Sequence, residues 1–458
     1  MSVSGAQEMP SSVRATDAVL RGLRVVTALL VLAAWSAAAQ EQSHTPQASA
    51  SPVTFVQAGR LLADPATGRI EAEKTLVVQG GRVVAVRDGF VSEAGGSVID
   101  LRTSFVLPGL IDSHVHVLTE AGPGSSLARV TKSSSALVID GAMHALRTLQ
   151  AGFTTIADIG ADNEAIFALR DGIAAGKVPG PRIVASGSII TPEGGHADVH
   201  GYRADVMRLL ANPAACSGAD DCRRAVRRQV QLGADFIKIT ATGGVLSNTA
   251  AGLDQQFSDA ELVAIVETAH GLGRRVTAHA HAVRGINAAL RAGVDSIEHG
   301  TYLDADSIAL FRARDAYLVP TLLAGDYVPK QAARPDSWFS PAMRAKIQEA
   351  APHSQLMGQR ARAGGIKIAL GTDCGVIPHG SNAQELALMV KAGFTPRQAI
   401  VAATVAAADH LARSDDIGTL APGKSADIIA VHGDPTEEVS ELENVHFVMK
   451  QGVVYRHL

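Results

Sequence analysis

The stretch VLPGLIDSHVHV, residues 106–117, ends an apolar run in two histidines one residue apart, just after Pro108 and Gly109 have broken the chain. Side chains alternate faces along a strand, so Asp112, His114 and His116 share one side while Ser113 and Val115 take the other. Two imidazoles at this spacing can converge on a single ion, and imidazole suits zinc and its neighbours. The alternative is a pair of ordinary strand-end histidines. Partners supplied by later strands decide between the two.

Later strands do supply them. Beyond the opening strand, short apolar stretches at 154–159, 182–190, 235–240, 275–280, 295–299, 317–322 and 366–372 alternate with amphipathic helical stretches at 259–272, 283–292 and 341–363. Strand–helix alternation eight times over predicts an α/β fold of the (β/α)8 TIM-like barrel type, with its active site at the C-terminal strand ends. A doubly wound sheet is the other possibility, but no Gly-x-Gly-x-x-Gly phosphate loop follows an early strand. Residues 53–106 and 414–458 read instead as short β segments, with a hairpin at Gly80-Gly81. They are expected to form one small β-sandwich built from both chain ends, flanking a barrel at 107–413.

In DFIKITATGG the alternation sends Ile237 and Ile239 outward and Lys238 inward. A lone buried ammonium is costly and tends to lose its proton. The neutral amine could take up carbon dioxide as a carbamate; pairing with a barrel carboxylate is the competing expectation. In RRVTAHAHA, His279 and His281 share the inward face, and in VDSIEHG His299 closes the next strand while Glu298 points outward by parity. In IKIALGTDCG, Asp373 faces inward above Ala369 and Gly371, small residues expected to leave room for a ligand. His114, His116, Lys238, His279, His299 and Asp373 thus gather at the ends of separate strands, which isolated hydrogen-bonded residues would have no reason to do.

Composition narrows the function classes. The chain has 458 residues, 47% hydrophobic but only 4% aromatic, and a net charge of −4 without a basic block, which argues against nucleic acid as a partner. Arg14, Arg21 and Arg24 precede an apolar run from Val25 to Trp35, and Ala37-Ala38-Ala39 offers small residues for cleavage before Gln40. Residues 1–39 therefore read as a signal peptide and 40–52 as a flexible leader. An uncleaved anchor is the alternative, although the run falls short of the roughly 20 apolar residues of a span. Export to the periplasm or outside the cell makes a disulfide between Cys216 and Cys222 the expected state, against two free thiols, and leaves Cys374 unpaired.

The ordered motifs PGLIDSHVH, GADFIKITATGG, VTAHAHAVRGI, AGVDSIEHGTYLD, LGTDCGVIPHGSNAQEL and GTLAPGKSADIIAVHGDP cover nearly all of the chain after the leader. They resemble the amidohydrolase superfamily, and within it the imidazolonepropionase-like Xaa-Pro dipeptidase group that includes ochratoxin-hydrolysing amidohydrolases. The resemblance implies a binuclear centre of two divalent ions, zinc by expectation. His114 and His116 would hold the more buried ion and His279 and His299 the more exposed one. A carbamate on Lys238 would bridge them, and Asp373 would bind the first ion and handle protons. Mononuclear deaminases generally lack such a lysine. Two ions about 3.5–4 Å apart would activate a water for attack on an amide carbonyl, with His281 hydrogen-bonding the carbonyl or oxyanion. By the same analogy Gly243, Gly244 and Val245 in the loop after Lys238, with His196, Tyr302 and His379, would contact the substrate; loop packing is the alternative for each. Ala282 stands where the group often has glycine, which loosens the assignment of His281.

The implied activity is hydrolysis of an amide to a C-terminal amino acid, in an Xaa-Pro-like dipeptide or an N-acyl amino acid such as ochratoxin A. A lactone, cyclic-amide, amidine or imidazolonepropionase-like hydrolase on the same scaffold is one alternative, and a catalytically silent scaffold protein another. The resemblance also implies a small-molecule substrate, no membrane partner once the leader is cleaved, and a homo-oligomer.

Overall fold

Gly80 and Gly81 both take positive φ, 58° and 77°, the geometry of a two-residue turn whose twist matches that of its flanking strands. They join β2 (Glu71–Gln79) to β3 (Arg82–Asp88) as the hairpin expected, and β2 also pairs with β1 (Thr54–Leu61). A fourth strand, β4 (Ser97–Pro108), lies parallel to β1. The computed structural model describes residues 1–2, 52–249 and 251–458, and the fold is carried by Pro52–Leu458. The expected signal peptide and leader lie outside the described residues, apart from Met1, Ser2 and Pro52. No helix among the described residues is long and apolar enough to cross a membrane.

The next strands are β5 (Leu110–Val115), β6 (Phe153–Asp158), β7 (Arg182–Ala185), a side pair β8 (Thr191–Pro192) and β9 (Ala215–Cys216), then β10 (Ile237–Thr240), β11 (Val276–Ala280), β12 (Ser296–His299), β13 (Tyr317–Val319) and β14 (Lys367–Ile368). β5-β6-β7 form one parallel sheet and β10 to β14 another. No continuous ladder runs round the ring. Single bridges complete it, Ile190 with Ile239 and Val115 with Cys374, through bonds such as Ile190 N–H to Lys238 O (2.9 Å) and Asp373 N–H to His114 O (2.8 Å). The eight barrel strands sit where the alternation predicts, but three end early. The third stops at Ala185 ahead of Gly187, the seventh stops at Val319 because Thr321 (φ 47°) turns into a helix at Leu322, and the eighth is only Lys367–Ile368.

The outward alternation holds. Ile237, Ile239, Val276, Ala278, Ile297, Leu318 and Leu370 are buried in one core with Ile265, Leu290, Phe311 and Met357 of the surrounding helices. Those helices are locally encoded. Ser258 and Glu261 form a reciprocal capping box at the start of Asp259–Gly271. Gly233, Gly293 and Gly365 end three others in the left-handed conformation.

β15 (Ile428–Val431), β16 (Phe447–Lys450) and β17 (Val453–His457) return to the first sheet, giving the order β17-β16-β15-β4-β1-β2-β3. The start of β3 meets the segment leading into β15 through Val83 N–H to Lys424 O (3.0 Å) and Ala426 N–H to Gly81 O (2.9 Å). The sheet so wraps a core of Val56, Leu76, Val83, Val106, Ile428 and Phe447 drawn from both chain ends, a β-sandwich-like unit. It is fastened to the start of β7 by Arg182, which bonds Asp427 (2.8 Å) and Ser425 (3.1 Å), and by Lys450 Nζ on Gly180 O (2.7 Å). That leaves the opposite, C-terminal ends of the strands free to build a site.

One sequence expectation is corrected here. The space beside Gly371 does not serve a ligand: a Cβ there would lie 2.2 Å from Val319 Cγ1 and 2.7 Å from His114 Cβ. Ala369 likewise packs with Ile111, Tyr317 and Val319. The small residues let β5 close against the chain that follows β14. Gly371→Ala is therefore expected to cost about 1–3 kcal/mol, as overpacking of a filled core does, read as a lower urea midpoint at unchanged m-value.

Candidate metal centre

Each histidine at the barrel mouth has one ring nitrogen committed to the protein. His114 Nδ1 bonds Glu298 Oε2 (2.7 Å), His116 Nδ1 bonds Gly160 O (2.8 Å), and His299 Nδ1 bonds Thr321 Oγ1 (2.7 Å). His279 uses the other nitrogen, Nε2, on Gly243 O (3.2 Å). The uncommitted nitrogens meet: His114 Nε2 and His116 Nε2 lie 3.3 and 3.5 Å from Asp373 Oδ1. Two sets of candidate donor atoms each fall within 4.8 Å of one another, one from His114, His299 and Asp373 and one from His279, His281 and His299. Burial, and then the neighbouring imidazoles, hold His279 and His299 well below the usual histidine range. Neutral imidazoles with one fixed N–H and one free lone pair are the state that binds a cation.

Lys238 is buried on the inward face of β10. Burial lowers its pKa to about 8, against the pull of Glu298 and Asp373. No described carboxylate is paired with its Nζ, so the expectation of a plain barrel ion pair finds no partner, and a neutral amine is within reach near neutral pH.

Glu298 corrects the parity argument. It points inward and is fully buried, bonded to His114 and Thr277 and lying 3.4 Å from Ser296 Oγ. It sits level with His279 across the β11–β12 ladder. The alternation fails because His299 has φ 69°, outside strand geometry, so consecutive side chains both reach the interior. Asp373 is turned the same way, at φ 64°. Positive φ at non-glycine residues costs energy and collects at functional sites. Burial opposes the charge of Glu298, yet the bond from His114 and the field of Lys238 hold its carboxyl below the ordinary range.

Further support comes from residues the sequence reading passed over. Asp112 shares the face of His114 but accepts from His114 N–H (3.0 Å), Thr372 Oγ1 (2.6 Å) and Asn382 Nδ2 (2.7 Å), a brace between β5 and the chain carrying Asp373. Asp158 accepts from Val117 N–H (2.7 Å) beside His116. Helix-start and strand-end carboxylates of this kind carry no distinguishing sequence signal.

Above the imidazoles lies a cavity of about 270 Å³. His116, His196, His279, His281, His299 and Asp373 line its floor, and Val245, Leu246, Val328, Ile347, Met357 and Val376 its walls. His281, held by Thr301 (2.8 Å) and lowered to about 4 by burial, stacks on His299. His196, lowered to about 3 by burial, bonds Ser247 and lies 4.2 Å from the His279 ring. The two glycines serve packing. Gly243 gives its N–H to Asp254 O (3.0 Å), and a Cβ on Gly244 would lie 2.0 Å from the His196 ring. Tyr302 packs on His353, and His379 bonds Thr119 O and stacks on His144, both outside the cavity lining. Cys216 and Cys222 are joined as a disulfide, whereas the Cys374 thiol, buried against Pro378 O, is pushed well up by burial.

The donor set fits a pair of divalent cations: four oriented imidazoles, one carboxylate and one buried amine, on five separate segments. The chain is 33% identical over 386 residues to an ochratoxinase of Aspergillus niger, 78% of this chain and 76% of that protein. A solved Xaa-Pro dipeptidase with methionine bound in its active site superposes with a TM-score of 0.83 at 37% identity, over 88% of this chain and 100% of that one. A prolidase complexed with N-methylphosphonate-L-proline matches with a TM-score of 0.80 at 30% identity, over 89% and 100%. The family model described as the amidohydrolase family matches residues 105–455, from the last turns of β4 to β17. The chain belongs to the amidohydrolase family.

Proposed function

We propose that this chain is a binuclear metal-dependent hydrolase that cleaves the amide bond to a C-terminal amino acid, in Xaa-Pro-like dipeptides or N-acyl amino acids, ochratoxin A among them. The observation that carries the reading is the convergence of donor atoms from β5, β11, β12 and the segment after β14 beneath one cavity with apolar walls, with Lys238 of β10 buried within the field of Asp373. His114, His116 and Asp373 would hold one cation and His279 and His299 the other. Lys238, as its neutral amine, could add to carbon dioxide, forming an N–C bond as one C=O π bond opens and losing a proton to solvent; the resulting carbamate would supply anionic oxygen donors to the cations. The bound cations would supply an acidified water and a Lewis acid for the scissile carbonyl. Asp373 would take a proton from the attacking water and return it to the leaving nitrogen. If the Thr301 hydroxyl donates to His281 Nδ1, His281 Nε2 carries the hydrogen and can steady the carbonyl oxygen as charge develops.

Two features of the cavity support a substrate that is apolar along its side chain and anionic at its end. The walls are aliphatic. Behind the Val245–Leu246 wall stands Lys346, buried in helix Pro341–Gly364, its Nζ on Gly244 O (2.9 Å) and Ser247 O (2.8 Å). No described carboxylate pairs with it, so its charge acts on the cavity end where His196 and His281 lie. A free substrate carboxylate is the counter-charge this arrangement lacks. The chain is further proposed to be exported, to work on small molecules without a nucleic-acid or membrane partner, and to self-associate.

Metal analysis and a hydrolysis screen over dipeptides, N-acyl amino acids and lactones test the reading; a metal-free protein, or cleavage confined to lactones, would sink it. Lys238→Ala is expected to lose bound metal and activity together, measured by elemental analysis and turnover on the same sample. Lys346→Met is expected to raise KM for N-acyl-phenylalanine by about 10-fold, the loss of a through-space attraction on the order of 1 kcal/mol. KM for the corresponding phenylalaninamide should stay unchanged. Equal losses on both substrates would assign Lys346 to loop support alone.

A further inference from the structure

The motif GSNAQEL after Asp373 supplies neither a candidate ligand nor a wall of the cavity. Its Asn382 holds Asp112. Its Glu385, fully buried on helix Gln384–Lys391, reaches across the barrel mouth and accepts from Leu322 N–H (2.9 Å) and Leu323 N–H (2.6 Å). These are the first N–H groups of helix Leu322–Ala332, whose N-cap is Thr321. A threonine at an N-cap ordinarily spends its own hydroxyl on those groups. Here Thr321 makes no such bond; its hydroxyl lies 2.7 Å from His299 Nδ1 instead, on a left-handed backbone (φ 47°) that β-branched residues disfavour.

We infer that Glu385 is a positioning residue for the more exposed half of the metal centre: by capping the helix in place of Thr321, it frees the threonine hydroxyl to fix the tautomer and direction of His299. The inference rests on the binuclear reading above for its metal arm, but the geometry exists without metal. In Glu385→Gln one carboxylate oxygen becomes an NH2 group facing an N–H, so the helix start loses an acceptor and the Thr321 hydroxyl is drawn back to it. His299 then loses its orienting partner.

The test is histidine-selective 15N NMR on the metal-free full chain, with the His299 signal assigned by His299→Asn, followed by zinc titration. Wild type should show His299 protonated at Nδ1. Glu385→Gln and Thr321→Val should both lose that signature while His114 and His116 keep theirs, and Thr321→Ser should restore it. In the titration the same two variants should weaken one of two sites by about 10–100-fold and leave the other intact. An unchanged His299 signal in Glu385→Gln would overturn the inference. So would a collapse of every histidine signal with a lower melting temperature, which would make Glu385 a support of the fold alone. A wild-type chain that binds fewer than two zinc ions while showing the expected tautomer pattern would overturn the binuclear reading and leave the positioning role standing.

Discussion

The constraint on which the site depends is the burial of a cluster of imidazoles: it holds His196, His279, His281 and His299 below the usual histidine range, whereas Asp373 and Glu298 raise His114 against its burial. Protonated neighbours at ring separations of 4.2–5.1 Å would repel one another in a medium that screens poorly. The protein answers by giving each ring a fixed partner for one nitrogen: a carboxylate for His114, carbonyl oxygens for His116 and His279, a hydroxyl for His299. A carbonyl or carboxylate oxygen takes an N–H and the hydroxyl beside His299 fixes that ring's direction, so the opposite nitrogens are turned towards one centre.

The partners come from elements distant in sequence. Glu298 belongs to β12 yet orients His114 on β5; Gly160 follows β6 yet orients His116; Thr321 follows β13 yet orients His299. A parallel barrel permits this because neighbouring strand ends lie side by side while their helices stay outside. At the mouth the backbone leaves strand geometry at His299, Thr321 and Asp373, each with positive φ. Below it, Thr277, Ser296 and His410 are joined in a polar layer, with Ser296 Oγ 2.7 Å from Thr277 and 2.9 Å from His410.

Rigidity below and apolar walls above divide the labour. The β-sandwich-like unit and Arg182 hold the N-terminal side of the barrel. The two helices Leu322–Ala332 and Pro341–Gly364 contribute Val328, Ile347 and Met357 to the cavity and bring Lys346 to the loop after β10. Selectivity is thus separated from the donor set, which is how one scaffold serves many amide-cleaving reactions.

The sequence by itself determined the strand–helix alternation, the Gly-Gly hairpin, the pairing of both chain ends, the close cysteine pair and the inward set His114, His116, Lys238, His279, His299 and Asp373. All of these follow from periodicity and short-range spacing, which are properties of neighbours in the chain. Only the tertiary structure decided that Glu298 faces in, that Gly371 makes room for His114, that Gly243 and Gly244 pack against Gly252 and His196, and that His379 and Tyr302 stand apart from the cavity. Each of these depends on a positive φ or on a contact between residues far apart in the chain. A period-two pattern contains no information about either, because it assumes regular backbone and sees only one strand at a time.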